Sequence, residues 1–250
     1  MKGNRRMEFL DSWRGSVIIS MILYHACWDL VWIFGISWQW FTGISAWIWQ
    51  QSICLSFIFL SGFCWNMGRH PLRRGAIVLG AGGMVTVSTV LFFPEGPIFF
   101  GILTLLGTAM TGTVFLHGCF QKVNPSAGIL SSLLMFFLFQ KWRWGIIGAF
   151  QIQESSASVF SPVFRAWIGY PAQGFYSADY FPLLPWIFIF WAGYFTYRKM
   201  EAWKNFPVFM YRGHSFFSWT GKQSLLIYLL YQPVLLLGMH IYFNGLDFME

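Results

Sequence analysis

His25 and Asp29 stand four residues apart inside an otherwise apolar run, the separation that stacks two side chains one turn apart on the same face of a helix. A histidine with a carboxylate in reach is the smallest unit that acts as a general base. Imidazole titrates near neutrality, and a neighbouring carboxylate fixes its tautomer and raises its basicity. The same two groups also suit a buried polar pair that ties neighbouring helices together, and spacing alone leaves both uses open. Steps of three and four extend the face through Met21, Ile18, Arg14 and Asp11 in one direction and to Trp32 in the other. The result is a stripe with polar ends and a polar centre. Asp11 and Arg14, three apart, are placed to form an ion pair at the start of a helix.

The element carrying this stripe has to cross a membrane. The chain has 250 residues, of which 56% are hydrophobic and only 10% charged, with a mean hydropathy of +0.54. That composition excludes a soluble domain. Apolar stretches long enough to cross a hydrocarbon layer of about 30 Å as helices recur along it, predicting an all-α bundle of seven spans in one domain over residues 1–250. The spans are 15–34, 44–65, 76–93, 98–117, 127–139, 183–197 and 224–243. A rise of about 1.5 Å per residue puts His25 about 16 Å above Arg14, near mid-membrane if Arg14 marks the inner surface. Ionisable groups at such depth are costly and face a bundle interior or a wet cavity.

Charge placement sets the expected topology. With the N-terminus cytoplasmic, all of the 16 Lys and Arg residues except Lys141, Arg143 and Arg165 fall on inner segments, as the positive-inside rule requires, and seven spans leave the C-terminus outside. The net charge of +7 is thereby accounted for by short connectors, without a nucleic-acid partner. The basic segment 1–9 before an apolar stretch has the outline of a signal peptide, but His25, Asp29 and the lack of a small-residue cleavage pattern predict a retained span. Many of the 15 Trp and 10 Tyr residues collect near the ends of the apolar runs, where amphipathic rings favour the interface. Pro94-Glu95-Gly96-Pro97 predicts a tight turn between the third and fourth spans. The segment 140–182 is too long for a simple connector and is expected to fold over the outer mouth. Cys27, Cys54, Cys64 and Cys119 show neither CxxC spacing nor a histidine at metal-ligand spacing, so they read as packing residues and no metal site is expected.

Two further groups of residues bear on chemistry. Glu95 in the tight turn and Asp179 before Phe181-Pro182-Leu183-Leu184-Pro185 are candidates for an outer, acceptor-side cavity, or are solvated loop carboxylates. Arg69, Arg73 and Arg74, with Arg14, are candidates for cytoplasmic phosphates; topology and anionic lipid explain such residues equally well.

Collinear landmarks connect these residues. Phe9-Leu10-Asp11-Ser12-Trp13-Arg14-Gly15, with Tyr24-His25 and Asp29, resembles the opening of bacterial membrane proteins in the heparan-α-glucosaminide N-acetyltransferase catalytic-domain family. Phe57-Ile58-Phe59-Leu60-Ser61-Gly62, Phe93-Pro94-Glu95-Gly96, Phe100-Gly101-Ile102-Leu103, Asp179-Tyr180-Phe181-Pro182-Leu183-Leu184-Pro185-Trp186, Ser224-Leu225-Leu226-Ile227-Tyr228 and Gln232-Pro233 resemble its later landmarks in order. The resemblance implies a multi-pass acyltransferase of the bacterial cytoplasmic membrane. It would move an acyl group, commonly acetyl, from acyl-CoA to a sugar amine or hydroxyl of a glycan or amino sugar. Acetyl-CoA would be a donor substrate rather than a resident cofactor, and a homo-oligomer stays open.

In that picture CoA phosphates lie near the basic residues, His25 deprotonates the acceptor and Asp29 orients His25, by direct transfer or through an acetyl-histidine. A longer member of the family carries asparagine at the place of His25 and its proposed catalytic histidine beyond the first span; this chain has no histidine between His25 and His70, so the resemblance implies either that His25 has taken over the role or that the chemistry differs. The alternative function is a non-catalytic carrier or channel for a small solute or lipid, with the stripe lining its path; the lack of an internal repeat weighs against it. A third is a membrane scaffold whose stripe binds no ligand.

Overall fold

A helix satisfies its backbone groups within itself, which is what a single segment needs in hydrocarbon, and helices are what these apolar runs form. The computed structural model describes residues 6–149, 161–202 and 206–247, except for the side chains of 142–149 and 244–247. Among them are nine α-helices and no strand: α1 Glu8–Trp32, α2 Ile44–Trp65, α3 Pro71–Phe92, α4 Ile102–Lys122, α5 Pro125–Ala149, α6 Pro162–Ile168, α7 Leu183–Ala202, α8 Ser215–Lys222 and α9 Ser224–Asp247. By length and composition α1, α2, α3, α4 and the Ser224–Phe243 part of α9 suffice to cross a membrane. The chain is a multi-pass membrane protein. The spans expected at 127–139 and 183–197 fall within α5 and α7.

Local chemistry sets several helix ends. Pro71 and Pro162 begin α3 and α6, positions where a missing N–H costs nothing. The Asn124 side chain accepts from the Ser126 and Ala127 amides at 2.9 and 3.4 Å and starts α5. Ser161 caps α6 by accepting from Phe164 N. Leu184 is extended and is followed by a cis peptide bond to Pro185, so regular helix in α7 begins there.

The segment expected to cover the outer mouth is partly helical. α5 runs on past residue 139 to Ala149, residues 150–160 lie outside the described residues, and α6 follows. The turn at 94–97 is longer than expected: α4 begins at Ile102, after a connection in which Phe100 adopts a left-handed conformation with φ 53°.

The chain forms two compact units, Met1–Phe57 with Phe206–Glu250, and Ile58–Asn205. In the first, α1 packs chiefly on α8 and also on α9. Gly15 and Gly221 stand where these backbones meet: a Cβ on Gly15 would overlap the Phe217 carbonyl, and one on Gly221 the Asp11 carbonyl. Val17, Met21 and Ile53 form a buried cluster against Ile22, Tyr24, Trp49, Phe57, Tyr228 and Tyr231.

In the second unit α3 packs on α4 and α5 on α7, with Gly75, Gly82 and Gly107 giving close approach in the first pair and Gly128 in the second. Arg198 of α7 closes the end of α4. Its guanidinium donates to the carbonyls of Phe120, Val123 (3.1 Å) and Gln121 (3.0 Å), acceptors that a helix C-terminus leaves unpaired. Replacing Arg198 by Ala is expected to lower stability by about 2 kcal/mol. Arg198→Lys should recover less than half, since a point charge cannot span three carbonyls as a planar fork does. Thermal unfolding in detergent checks both.

Candidate active site

The polar face of α1 is directed inward over most of its length. Asp11, Ile18, Met21 and Asp29 are buried, Arg14 and His25 half-buried, and only Trp32, 62% exposed, leaves the interior. At its start Asp11 lies between two guanidinium groups: Arg6 Nε donates to Oδ2 at 2.6 Å, and Arg14 is 3.8 Å from Oδ1. The hydrogen bond to Asp11 raises the Arg6 pKa above its ordinary value. The expected Asp11–Arg14 pair is therefore present, but it is the weaker arm of a triad.

Deeper along the face the imidazole of His25 sits among rings. Its centroid is 5.4 Å from that of Tyr231 and 5.8 Å, edge to face, from that of Tyr24. Tyr24 in turn meets Phe41 at 5.2 Å and Trp49 at 5.4 Å, and the Trp49 indole N–H is spent on Ser20 Oγ at 2.7 Å. These rings hold the imidazole by shape. Among the described residues no hydrogen-bonding partner holds it.

The expected contact between His25 and Asp29 is not made. Asp29 is fully buried in the last turn of α1, and its carboxylate accepts from Gln232 Nε2 of α9 at 3.1 Å to each oxygen. Four residues of separation aligns the two side chains on one face, but a partner 203 residues away takes the carboxylate. Gln232 is the partner of Asp29 that local spacing does not find. Its signal is a polar side chain within an apolar run, beside Pro233.

The remaining candidates belong to the other unit. Glu95 is exposed, while Asp179 is half-buried beside Gly101. Backbone pairing brings their two segments to the same end of this unit: Ser177 Oγ bonds both N and O of Phe99 at 2.9 Å, Ala178 N donates to Pro97 O, and Phe181 N to Phe100 O. Arg69 and Arg73 are exposed and Arg74 half-buried at the start of α3. The first unit thus holds an imidazole with no hydrogen-bonding partner among the described residues and a buried carboxylate bonded by an amide, and the second a basic helix start. Among the described residues no group of three His, Cys, Asp or Glu residues converges as a metal site would.

A family model described as heparan-alpha-glucosaminide N-acetyltransferase, catalytic, matches residues 6–233, which include His25, Asp29 and Gln232. No curated protein and no solved structure matches the chain.

Proposed function

Because the chain belongs to the heparan-alpha-glucosaminide N-acetyltransferase catalytic family, we propose that it transfers an acetyl group from acetyl-CoA to the amine or hydroxyl of an amino sugar or glycan at the membrane. The observation that carries this is the coincidence of a family match over 6–233 with an inward face of α1 on which His25 is half-buried and has no hydrogen-bonding partner among the described residues. Membership points to a transferase. The base, the donor and the acceptor are our assignment.

In the proposed reaction the acceptor nitrogen or oxygen attacks the thioester carbonyl and His25 takes its proton. As the tetrahedral intermediate collapses, the C–S bond breaks with its electron pair going to sulfur, and His25 returns the proton to the departing thiolate. Asp29, held by Gln232, acts on the acceptor rather than on His25. Arg14 on α1 and Arg69, Arg73 and Arg74 at the start of α3 are the candidates for the phosphates of CoA, as point charges and forks for anionic oxygens. Glu95 and Asp179 are candidates for the acceptor side. With α5 and α7 counted beside the five apolar helices, the chain has seven spans, its N-terminus inside and its C-terminus outside.

The test is to incubate the protein in nanodiscs with acetyl-CoA and glucosamine and to follow free thiol and N-acetylglucosamine. Acceptor-dependent release of both is expected, as is thermal stabilisation by acetyl-CoA alone. Neither thiol release nor stabilisation, together with flux of a solute through liposomes lacking donor, would assign the chain to transport.

A further inference from the structure

α8 stays at the start of α1 instead of following it. At its leading end His214 N donates to Ser12 Oγ at 3.0 Å, and Gly213 lies against the Glu8 carbonyl. Its far end returns to the same stretch, where Gly221 lies against the Asp11 carbonyl and the Gly15 amide. A helix of eight residues is about 12 Å long, and both of its ends touch α1 between Glu8 and Gly15, so α8 is held at the depth at which α1 begins. Gln223 alone separates it from α9, whose membrane-spanning part starts at Ser224. Two spans thus leave from the level of α8, which places it among the lipid headgroups of that leaflet.

Its two faces differ. Ser218, Thr220 and Gly221 are buried, whereas Phe216 and Trp219, three apart, are 57% and 60% exposed. Phe209, in the short 3₁₀ turn Val208–Tyr211, is exposed too and meets Phe9 of α1 edge to face, with centroids 5.3 Å apart. Arg212 and Lys222 flank Phe216 and Trp219 in sequence; both are exposed, and neither is ion-paired among the described residues. Arg6, exposed as well, is committed to Asp11, and Glu8 is the one exposed carboxylate described at this end.

We propose that this face of α8 is a seat for an anionic phospholipid of the adjoining leaflet: Arg212 and Lys222 hold its headgroup, and Phe216 and Trp219 pack on the upper part of its chains. A helix with apolar rings on one face and basic residues beside them lies in the interface in this way. The combination selects the partner. A soluble anion would satisfy the two cations and leave both rings in water, while a zwitterionic lipid would cover the rings and offer the cations no net charge. Each basic residue near an anionic surface favours binding by about fivefold. Because α8 meets α1 backbone to backbone at Gly15 and Gly221, the bound lipid also holds this pair of helices together. The seat is independent of what the chain transfers.

Photo-crosslinking of the intact protein in nanodiscs tests it, with phosphatidylglycerol and phosphatidylcholine probes that carry the same diazirine below the headgroup and are supplied at equal mole fraction. Adducts are mapped by mass spectrometry. Over residues 206–223 phosphatidylglycerol should exceed phosphatidylcholine at least fivefold. Over 234–241 of α9, a helix that contains no Lys or Arg, the ratio should be near one. Arg212→Gln with Lys222→Gln should bring the first ratio near one, whereas Arg212→Lys with Lys222→Arg, which keeps both charges, should preserve it. A wild-type ratio over 206–223 no higher than that over 234–241 overturns the proposal without recourse to any variant. So does a preference that survives loss of both charges, or one abolished by excess glycerol phosphate, which would assign the cations to a soluble anion. Phosphatidylglycerol should also raise the thermal midpoint of wild type more than that of the glutamine variant; an equal rise overturns the lipid's hold on α1 and α8.

Discussion

Alanine in place of His25 is expected to lower acetyl transfer about 10²- to 10⁴-fold while the protein stays folded, because a positioned general base contributes a factor of that size. In barrier terms this is about 3–5 kcal/mol. The expectation of an intact fold comes from geometry. His25 has no hydrogen-bonding partner among the described residues, so its removal strands no buried donor or acceptor, and what is lost is packing against Tyr24 and Tyr231. A histidine kept to fasten helices would behave oppositely, since truncating one member of a buried bonded pair leaves the other unsatisfied. Initial rates of CoA release and the thermal midpoint therefore divide the two roles. A rate that collapses at an unchanged midpoint is the expected outcome; a depressed midpoint with normal turnover per folded molecule assigns His25 to structure. His25→Gln, which keeps a hydrogen-bonding side chain but no base, should be as inactive as the alanine variant.

The polar face of α1 was legible from the sequence because helical spacing and membrane depth are both local properties. Seven residues at steps of three and four define it, and all but Trp32 turn inward. What that pattern does not contain is the partner of each side chain. Asp29 is claimed by Gln232 from the other end of the chain, a contact made by tertiary packing alone. Hydropathy likewise marks where a segment is apolar, not where its helix stops. α1 starts at Glu8, ahead of the apolar run from residue 15, and the buried Asp11 in this early part is neutralised by the exposed Arg6 and the half-buried Arg14. α5 passes through Gln140 and Lys141 because a helix emerging from an apolar layer carries polar residues without strain. α8 escaped notice for another reason: it has eight residues, Phe216 and Trp219 stay exposed, and its contact with α1 depends on glycines, which leave no hydropathic trace.

That contact carries the second large effect. Gly15→Val is expected to destabilise the protein by about 3 kcal/mol, the upper part of the range for overpacking, because the obstacle is backbone rather than a flexible side chain. A Cβ at position 15 would meet the Phe217 carbonyl, with the Gly221 amide nitrogen at 3.1 Å. One at position 221 would meet the Asp11 carbonyl, with the Gly15 amide nitrogen at 3.0 Å. The helices can relieve either clash only by separating, so the two sites share one cost. Gly15→Ala combined with Gly221→Ala should accordingly cost clearly less than the sum of the single variants, a coupling that residues in contact show and distant ones do not. Gly80 and Gly83 on α3 provide the contrast. Both are helical with nothing within 4 Å of an added Cβ, and alanine there should raise stability by up to about 1 kcal/mol through helix propensity. Unfolding curves for the four single variants and the double one decide the matter: additive losses at 15 and 221, or losses at 80 and 83 of similar size, would mean that the α1–α8 approach is looser than its geometry implies. Separation of α8 from α1 would also tilt the helix that carries His25 and Asp29, so acetyl transfer should fall in Gly15→Ala even at temperatures where it remains folded, although residue 15 lies about 15 Å along the helix from His25.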